Sequence, residues 1–125
     1  LLLDTHAFIW FVNGEQTLSK NAAKHIEDDS NEKFVSLASV LEIAIKINVG
    51  KLFVQGGTRK VFADIASNNF SVFNFSSEHF HVFETLPFHH RDPFDRMLIA
   101  QAIYEKLTIV TKDPDFSNYN VKILW

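Results

Sequence analysis

Short apolar runs alternate with amphipathic helical segments along the whole chain, and this alternation leaves little choice of architecture. Residues 1–3, 34–36, 70–75, 107–111 and 121–125 read as strands. Helical segments fall between them over 8–12, 21–26, 36–50, 61–66, 77–86 and 92–106. Parallel strands need long crossovers, whereas antiparallel neighbours can be joined by tight turns. Strands separated by helices therefore predict a three-layer α/β/α domain around a central, mainly parallel sheet, with any active crevice beyond the carboxyl ends of the strands.

Two helices are marked most clearly. From Ser36 onward Val40, Ile43, Ala44 and Ile47 recur at i, i+3, i+4 and i+7, and Gly50 follows as a C-terminal stop. Asp92-Pro93 opens the other, with Asp as N-cap, Pro in the first turn and an apolar face of Phe94, Leu98, Ala102 and Ile103. The 125 residues suit one domain over 1–125, with no linker, repeat or low-complexity segment. Thirteen phenylalanines are many for this length, and either an aromatic-rich core or a surface patch for a partner accounts for them.

The absence of cysteine excludes disulfides and thiolate metal sites, so any metal must take oxygen or imidazole ligands. No apolar run approaches the roughly 20 residues of a membrane span and no signal peptide is marked, so a cytoplasmic protein with no membrane partner is expected. The chain opens inside a strand without a methionine, and its natural start is expected upstream. A net charge of −3 argues against a strong nonspecific grip on nucleic acid, which depends on Lys and Arg neutralising phosphates.

Four carboxylates carry the candidate chemistry. Asp4 and Asp113 follow apolar strands directly, while Glu42 and Asp95 sit in early turns of helices, so all four can meet at one sheet edge. Gathered like charges raise one another's pKa and destabilise the fold unless a cation compensates, and an oxygen-only set suits Mg²⁺ or Mn²⁺. Each residue also has a plainer reading. Glu42 stands three after Ser39, as in a capping box, and four before Lys46, as in a helical ion pair. Asp92 and Asp95 lie where a helix N-terminus favours any carboxylate; Asp113 can begin an Asx or Pro turn, and Asp4 can cap a helix.

Read together, "LLLDTHAFIWF", "SLASVLEIAIKINVGKL", "HHRDPFDRMLIAQA" and "LTIVTKDPDFSNYNVKILW" closely resemble the PIN-domain family, and within it the VapC-type toxins of bacterial toxin–antitoxin pairs. The resemblance covers essentially the whole chain, and its third segment is the most specific. It implies a PIN-like fold and a magnesium-dependent endoribonuclease that hydrolyses RNA phosphodiester bonds with metal-activated water. Carried over residue by residue, the family's acids fall on Asp4, Glu42, Asp95 and Asp113, as catalytic residues and as ligands of Mg²⁺, with Mn²⁺ as an alternative. Thr5 and Thr111 become supporting hydroxyls, and Asp92 and Asp115 keep capping and turn roles. The expected partners are RNA, a cognate VapB-type antitoxin and a second copy of the chain.

Substrate phosphates would need positive partners, and Arg91, Arg96, Lys46 and Lys51 lie close in sequence to the acids, although ordinary solvation or ion pairing explains them equally well. His89-His90 and His79-x-His81 do not have spacings that suit zinc and read as solvated loop residues. Two other functions compete. A PIN fold without catalysis could serve only as a partner-binding module, which four intact acids argue against. A receiver-like phosphoacceptor domain needs an acceptor Asp after a middle strand, and the run 70–75 offers Asn74 and Ser76 instead.

Overall fold

The computed structural model describes residues 1–125. Its strands are β1 (Leu2–Leu3), β2 (Phe34–Ser36), β3 (Ser71–Phe73), β4 (Thr108–Val110) and β5 (Lys122–Leu124). Its helices are α1 (Thr5–Val12), α2 (Lys20–Glu27), α3 (Leu37–Asn48), α4 (Gly57–Ser67), α5 (Ser77–Glu84) and α6 (Pro93–Glu105), with a 3-10 turn over Pro114–Asn118. All four strand pairings are parallel, in the order β3-β2-β1-β4-β5. The expected three-layer architecture is therefore present, and the sheet is parallel throughout.

Successive residues of a strand point to opposite faces, and here each face has its own core. Leu3, Val35 and Val110 pack with Ala7, Phe8, Ala22, Ile26, Ile43 and Ile65 of α1 to α4. Their strand neighbours Leu2 and Ile109 pack with Leu98, Ile99 and Ala102 of α6 and with Phe116 and Tyr119. The strand segments are shorter than the sequence suggests. Apolar residues continue past the ladder because they pack into these cores.

Helix α3 ends as Gly50 requires. Gly50 has φ +76°, its amide donates to the Ile47 carbonyl, and the Lys51 amide donates to the Lys46 carbonyl at 2.8 Å. This is a Schellman stop, in which only glycine takes the left-handed turn without strain. At the other end Ser36 is the N-cap and accepts from the Ala38 amide. Ser36 starts the helix, so Ser39 lies inside it and does not form the capping box considered for Glu42.

The phenylalanines divide between the two readings. Phe8, Phe70 and Phe116 are core, whereas Phe53, Phe62, Phe75, Phe80 and Phe88 are exposed. No helix is long and apolar enough to cross a membrane.

The chain winds from β1 outward to β2 and β3, then crosses back to β4 and β5. The order reverses between β1 and β4, and in such sheets the crevice opens at the carboxyl ends of the strands flanking the reversal. The order also differs from the 2-1-3-4-5 sheet of receiver-like folds, in which the third strand is central. Here β3 is an edge strand, so a phosphoacceptor placed after it would lie far from the crevice.

Candidate active site

Asp4 leaves the end of β1 at this reversal. Its Oδ1 accepts from the Ala7 amide at 2.7 Å, capping α1, and its Oδ2 accepts from Thr111 Oγ1 at 2.5 Å. The Asp4 amide donates to the Val110 carbonyl, and Thr111 Oγ1 accepts from the Asp113 amide at 3.0 Å. One buried threonine therefore ties the ends of β1 and β4 together and orients the turn carrying Asp113. The capping reading of Asp4 is correct, and it leaves the second carboxylate oxygen to Thr111: one oxygen starts the helix while the other is held at the end of β4.

Thr5 does the equivalent for Glu42. Its hydroxyl donates to Glu42 Oε1 at 2.7 Å and lies 3.0 Å from Ser39 Oγ. Glu42 is only 6% exposed, and its Oε2 meets Lys46 Nζ at 2.8 Å, so the expected i,i+4 ion pair forms. Asp95 sits in the first turn of α6, whose N-cap Asp92 accepts from the amides of Phe94 and Asp95. Asp113 caps the 3-10 turn by accepting from the Asp115 amide.

Electrostatics reveals that the four acids share one neighbourhood. The Asp95 carboxyl is pushed up to about 7, chiefly by burial and then by Asp92, with Asp4 and Glu42 adding to the rise and His90 opposing it. Burial likewise raises Asp4, against its hydrogen bonds from Thr111 and Ala7, and Asp113 adds to the rise. Burial is the main cause for both acids, and the like charges nearby add to it without a full compensating cation.

His90 overturns its reading as a solvated loop residue. Its side chain is only 10% exposed, with Nε2 at 2.9 Å from Asp113 Oδ2 and 3.2 Å from Asp95 Oδ2. Its Nδ1 accepts from the Asp92 amide at 3.1 Å. One ligand atom from each of His90, Asp113 and Asp115 lies within 4.8 Å of the others, so Asp115, assigned only a turn role, also borders the cluster. The one sequence signal for His90 was its place two residues before the Asp92 N-cap. His79 is buried too, but remote in role: it bonds the Ser76 amide and Glu105 and stacks on Phe73.

The expected phosphate contacts fare unequally. Arg96 is 5% exposed, and its guanidinium donates to the carbonyls of Leu86, Pro87 and His90 beneath the loop joining α5 and α6. Its donors are spent on that loop, so it is not presented to a phosphate. Lys46 is engaged by Glu42, and Lys51 lies past the end of α3 remote from the crevice. Arg91 is exposed beside His90 and remains available.

The donor set is three aspartates and a glutamate, held by hydroxyl and amide donors. Its only cationic side chain is Lys46, paired with Glu42 at one margin. Oxygen-only donors, two of them buried carboxyls whose charged form burial disfavours, fit a hard divalent ion such as Mg²⁺ or Mn²⁺.

Residues 1–122 match the sequence profile of the PIN domain family. No curated protein matches the chain by sequence. Among solved structures, VapBC2 from Rickettsia felis, bound to a DNA fragment from its promoter, is similar with a TM-score of 0.72 at 17% identity, over 98% of this chain and 95% of that one. FitAcB from Neisseria gonorrhoeae gives 0.66 at 17% identity over 98% and 94%. A toxin–antitoxin complex from Klebsiella pneumoniae gives 0.65 at 18% identity over 95% and 92%. At these identities the structural likeness speaks for the fold, which agrees with the profile match over nearly the whole sequence: the chain belongs to the PIN domain family.

Proposed function

We propose that the protein is a divalent-metal-dependent endoribonuclease and the toxin of a VapBC-type pair, acting in the cytoplasm. The observation that carries the nuclease reading is the convergence of Asp4, Glu42, Asp95 and Asp113 at the sheet reversal, with the Asp95 carboxyl raised to about 7. Family membership supports a hydrolase of the nuclease kind.

In this reading Asp4, Asp95 and Asp113 hold the ion, and Glu42 binds it directly or through water. When bound, Mg²⁺ or Mn²⁺ supplies Lewis-acid activation of water for attack on a phosphodiester and neutralises charge developing on the phosphate oxygens. The protein's own residues prepare the site. Thr111 and the Ala7 amide fix both oxygens of Asp4, so its carboxylate needs little reorganisation. Thr5 orients Glu42, while Lys46 neutralises it from the solvent side. Arg91 offers a positive contact for an RNA phosphate. With the other expected contacts engaged or remote, overall affinity for RNA rests on few charges, in keeping with the net charge of −3.

The similarity to a solved toxin–antitoxin complex supports an antitoxin partner. An apolar groove between α3, α5 and α6 is lined by Leu41, Phe75, Phe80, Phe83, Phe94 and Met97, of which Leu41 and Phe94 adjoin Glu42 and Asp95 in sequence. It suits an apolar segment of that partner, which would cover the crevice, and a second copy of the chain completes the assembly. RNA cleavage in the presence and absence of EDTA tests the nuclease reading. Loss of cleavage on chelation, restored by Mg²⁺ or Mn²⁺, is expected, and cleavage that persists under chelation contradicts it.

A further inference from the structure

The loop between α5 and α6 is anchored by two residues that the catalytic chemistry does not use. Tyr119 Oη accepts from the His89 and His90 amides, each at 2.9 Å, and donates to the Pro87 carbonyl at 2.7 Å. Arg96 holds the carbonyls of Leu86, Pro87 and His90 from below, and its guanidinium lies 4.1 Å from the centre of the Phe88 ring. Both residues are buried, so the backbone that carries His90 is fixed from inside the protein.

The imidazole is fixed as well. Its ring stands edge-on to Phe116 with centroids 5.5 Å apart, and Nδ1 accepts from the Asp92 amide. A nitrogen that accepts from an N–H carries no proton itself, so a neutral His90 holds its proton on Nε2. That nitrogen points at Asp113 and Asp95. Direct ligation of an ion through Nε2 would require the proton on Nδ1, where it would face the Asp92 N–H donor against donor.

We propose that His90 is a positioning residue of the acidic site, its Nε2–H hydrogen-bonding Asp113 and facing Asp95 so that the two carboxylates are set for a divalent ion. The role rests on the metal reading above. Hydrogen bonds that orient the ligands of a metal in this way govern its affinity by about 10–100-fold. Tyr119 acts through His90 by fixing its backbone, and the Asp92 amide acts by fixing the tautomer.

The proposal is tested by ¹⁵N spectroscopy of the histidine rings in the metal-free protein, together with Mn²⁺ titration followed by electron paramagnetic resonance. The Nε2–H tautomer is expected at His90. His90→Ala is expected to weaken Mn²⁺ binding about 10–100-fold in protein that still unfolds in one cooperative transition, and His90→Gln, which keeps an N–H donor, to recover part of the loss. Tyr119→Phe is expected to weaken binding in the wild-type background and to add nothing once His90 is alanine. An Nδ1–H tautomer, or Mn²⁺ binding by His90→Ala equal to wild type, overturns the positioning role. Failure of the wild-type protein to bind Mn²⁺ overturns the metal reading itself, and with it this role.

Discussion

Thr111 Oγ1 donates to Asp4 Oδ2 at 2.5 Å, so one hydroxyl links the carboxyl ends of β1 and β4 where the strand order reverses. Thr111→Val keeps the shape and removes the donor. Because Asp4 is 5% exposed, its carboxylate then loses a partner in a dry setting, and the Asp113 amide loses its acceptor. A destabilisation of about 1–3 kcal/mol is expected in urea unfolding, the usual cost of orphaning buried polar groups. Mn²⁺ affinity should fall about 10–100-fold, measured by titration.

Asp95 gives the metal-free protein a pH dependence, and Asp4, also raised by burial, acts in the same direction. The folded pKa of Asp95, about 7, lies above the ordinary value of 3.8, so between these two the folded state holds a proton that the unfolded state has released. Stability from this group is complete below pH 4 and is lost as pH rises through about 7. Urea unfolding from pH 4 to pH 8 is expected to show this decline in wild type and a flatter profile in Asp95→Asn.

The same protonation competes with metal. An ion must displace the Asp95 proton below pH 7, so Mn²⁺ affinity should rise with pH and level off above about 7. Saturating Mn²⁺ should therefore raise the thermal midpoint more at pH 8 than at pH 5. A pH-independent shift would show that Asp95 is not a ligand.

Arg91 and Arg96 separate charge for substrate from charge for structure. Arg96→Ala removes the donors that hold three loop carbonyls and is expected to lower the thermal midpoint. Arg91→Ala should leave stability unchanged, weaken RNA binding, and reduce the slope of log affinity against log salt by about 0.7 for a single-stranded substrate. Salt-dependent binding curves for the two variants, beside their melting curves, check both outcomes.

Glu42→Gln tests the fourth acid. The hydrogen bond from Thr5 survives on the amide oxygen, while the ion pair with Lys46 is lost. The pair is partly solvated, so stability should change by less than about 1 kcal/mol. Cleavage should drop about 10–100-fold, whether Glu42 holds the ion directly or through water.

Much of the frame was legible because local signals and tertiary demands agree. Asp92-Pro93 marks the start of α6 in any context, and this sets Asp95 in its first turn. Gly50 likewise stops α3 wherever that helix packs. The caps read for Asp4, Asp92 and Asp113 all exist, and capping did not compete with clustering because a carboxylate has two oxygens. What could not be read depends on distant partners. Arg96 looked like any exposed cation, because three carbonyls gathered by a folded loop leave no trace in sequence spacing. His90 looked like half of a solvated pair, since its burial comes from Phe116 and its anchoring from Tyr119, both contributed from beyond β4. Ser39 has the spacing to Glu42 of a capping box, but Ser36, three residues earlier, takes the cap position at the strand end.

The convergence of the acids on one ion is tested most directly by anomalous diffraction from crystals of the protein soaked in Mn²⁺. The expected result is a peak within coordination distance of Asp4, Asp95 and Asp113, with Glu42 bound directly or through one water. A map with no peak, or with a peak held only by the half-buried Asp113 and the exposed Asp115 and away from Asp4 and Asp95, would contradict it.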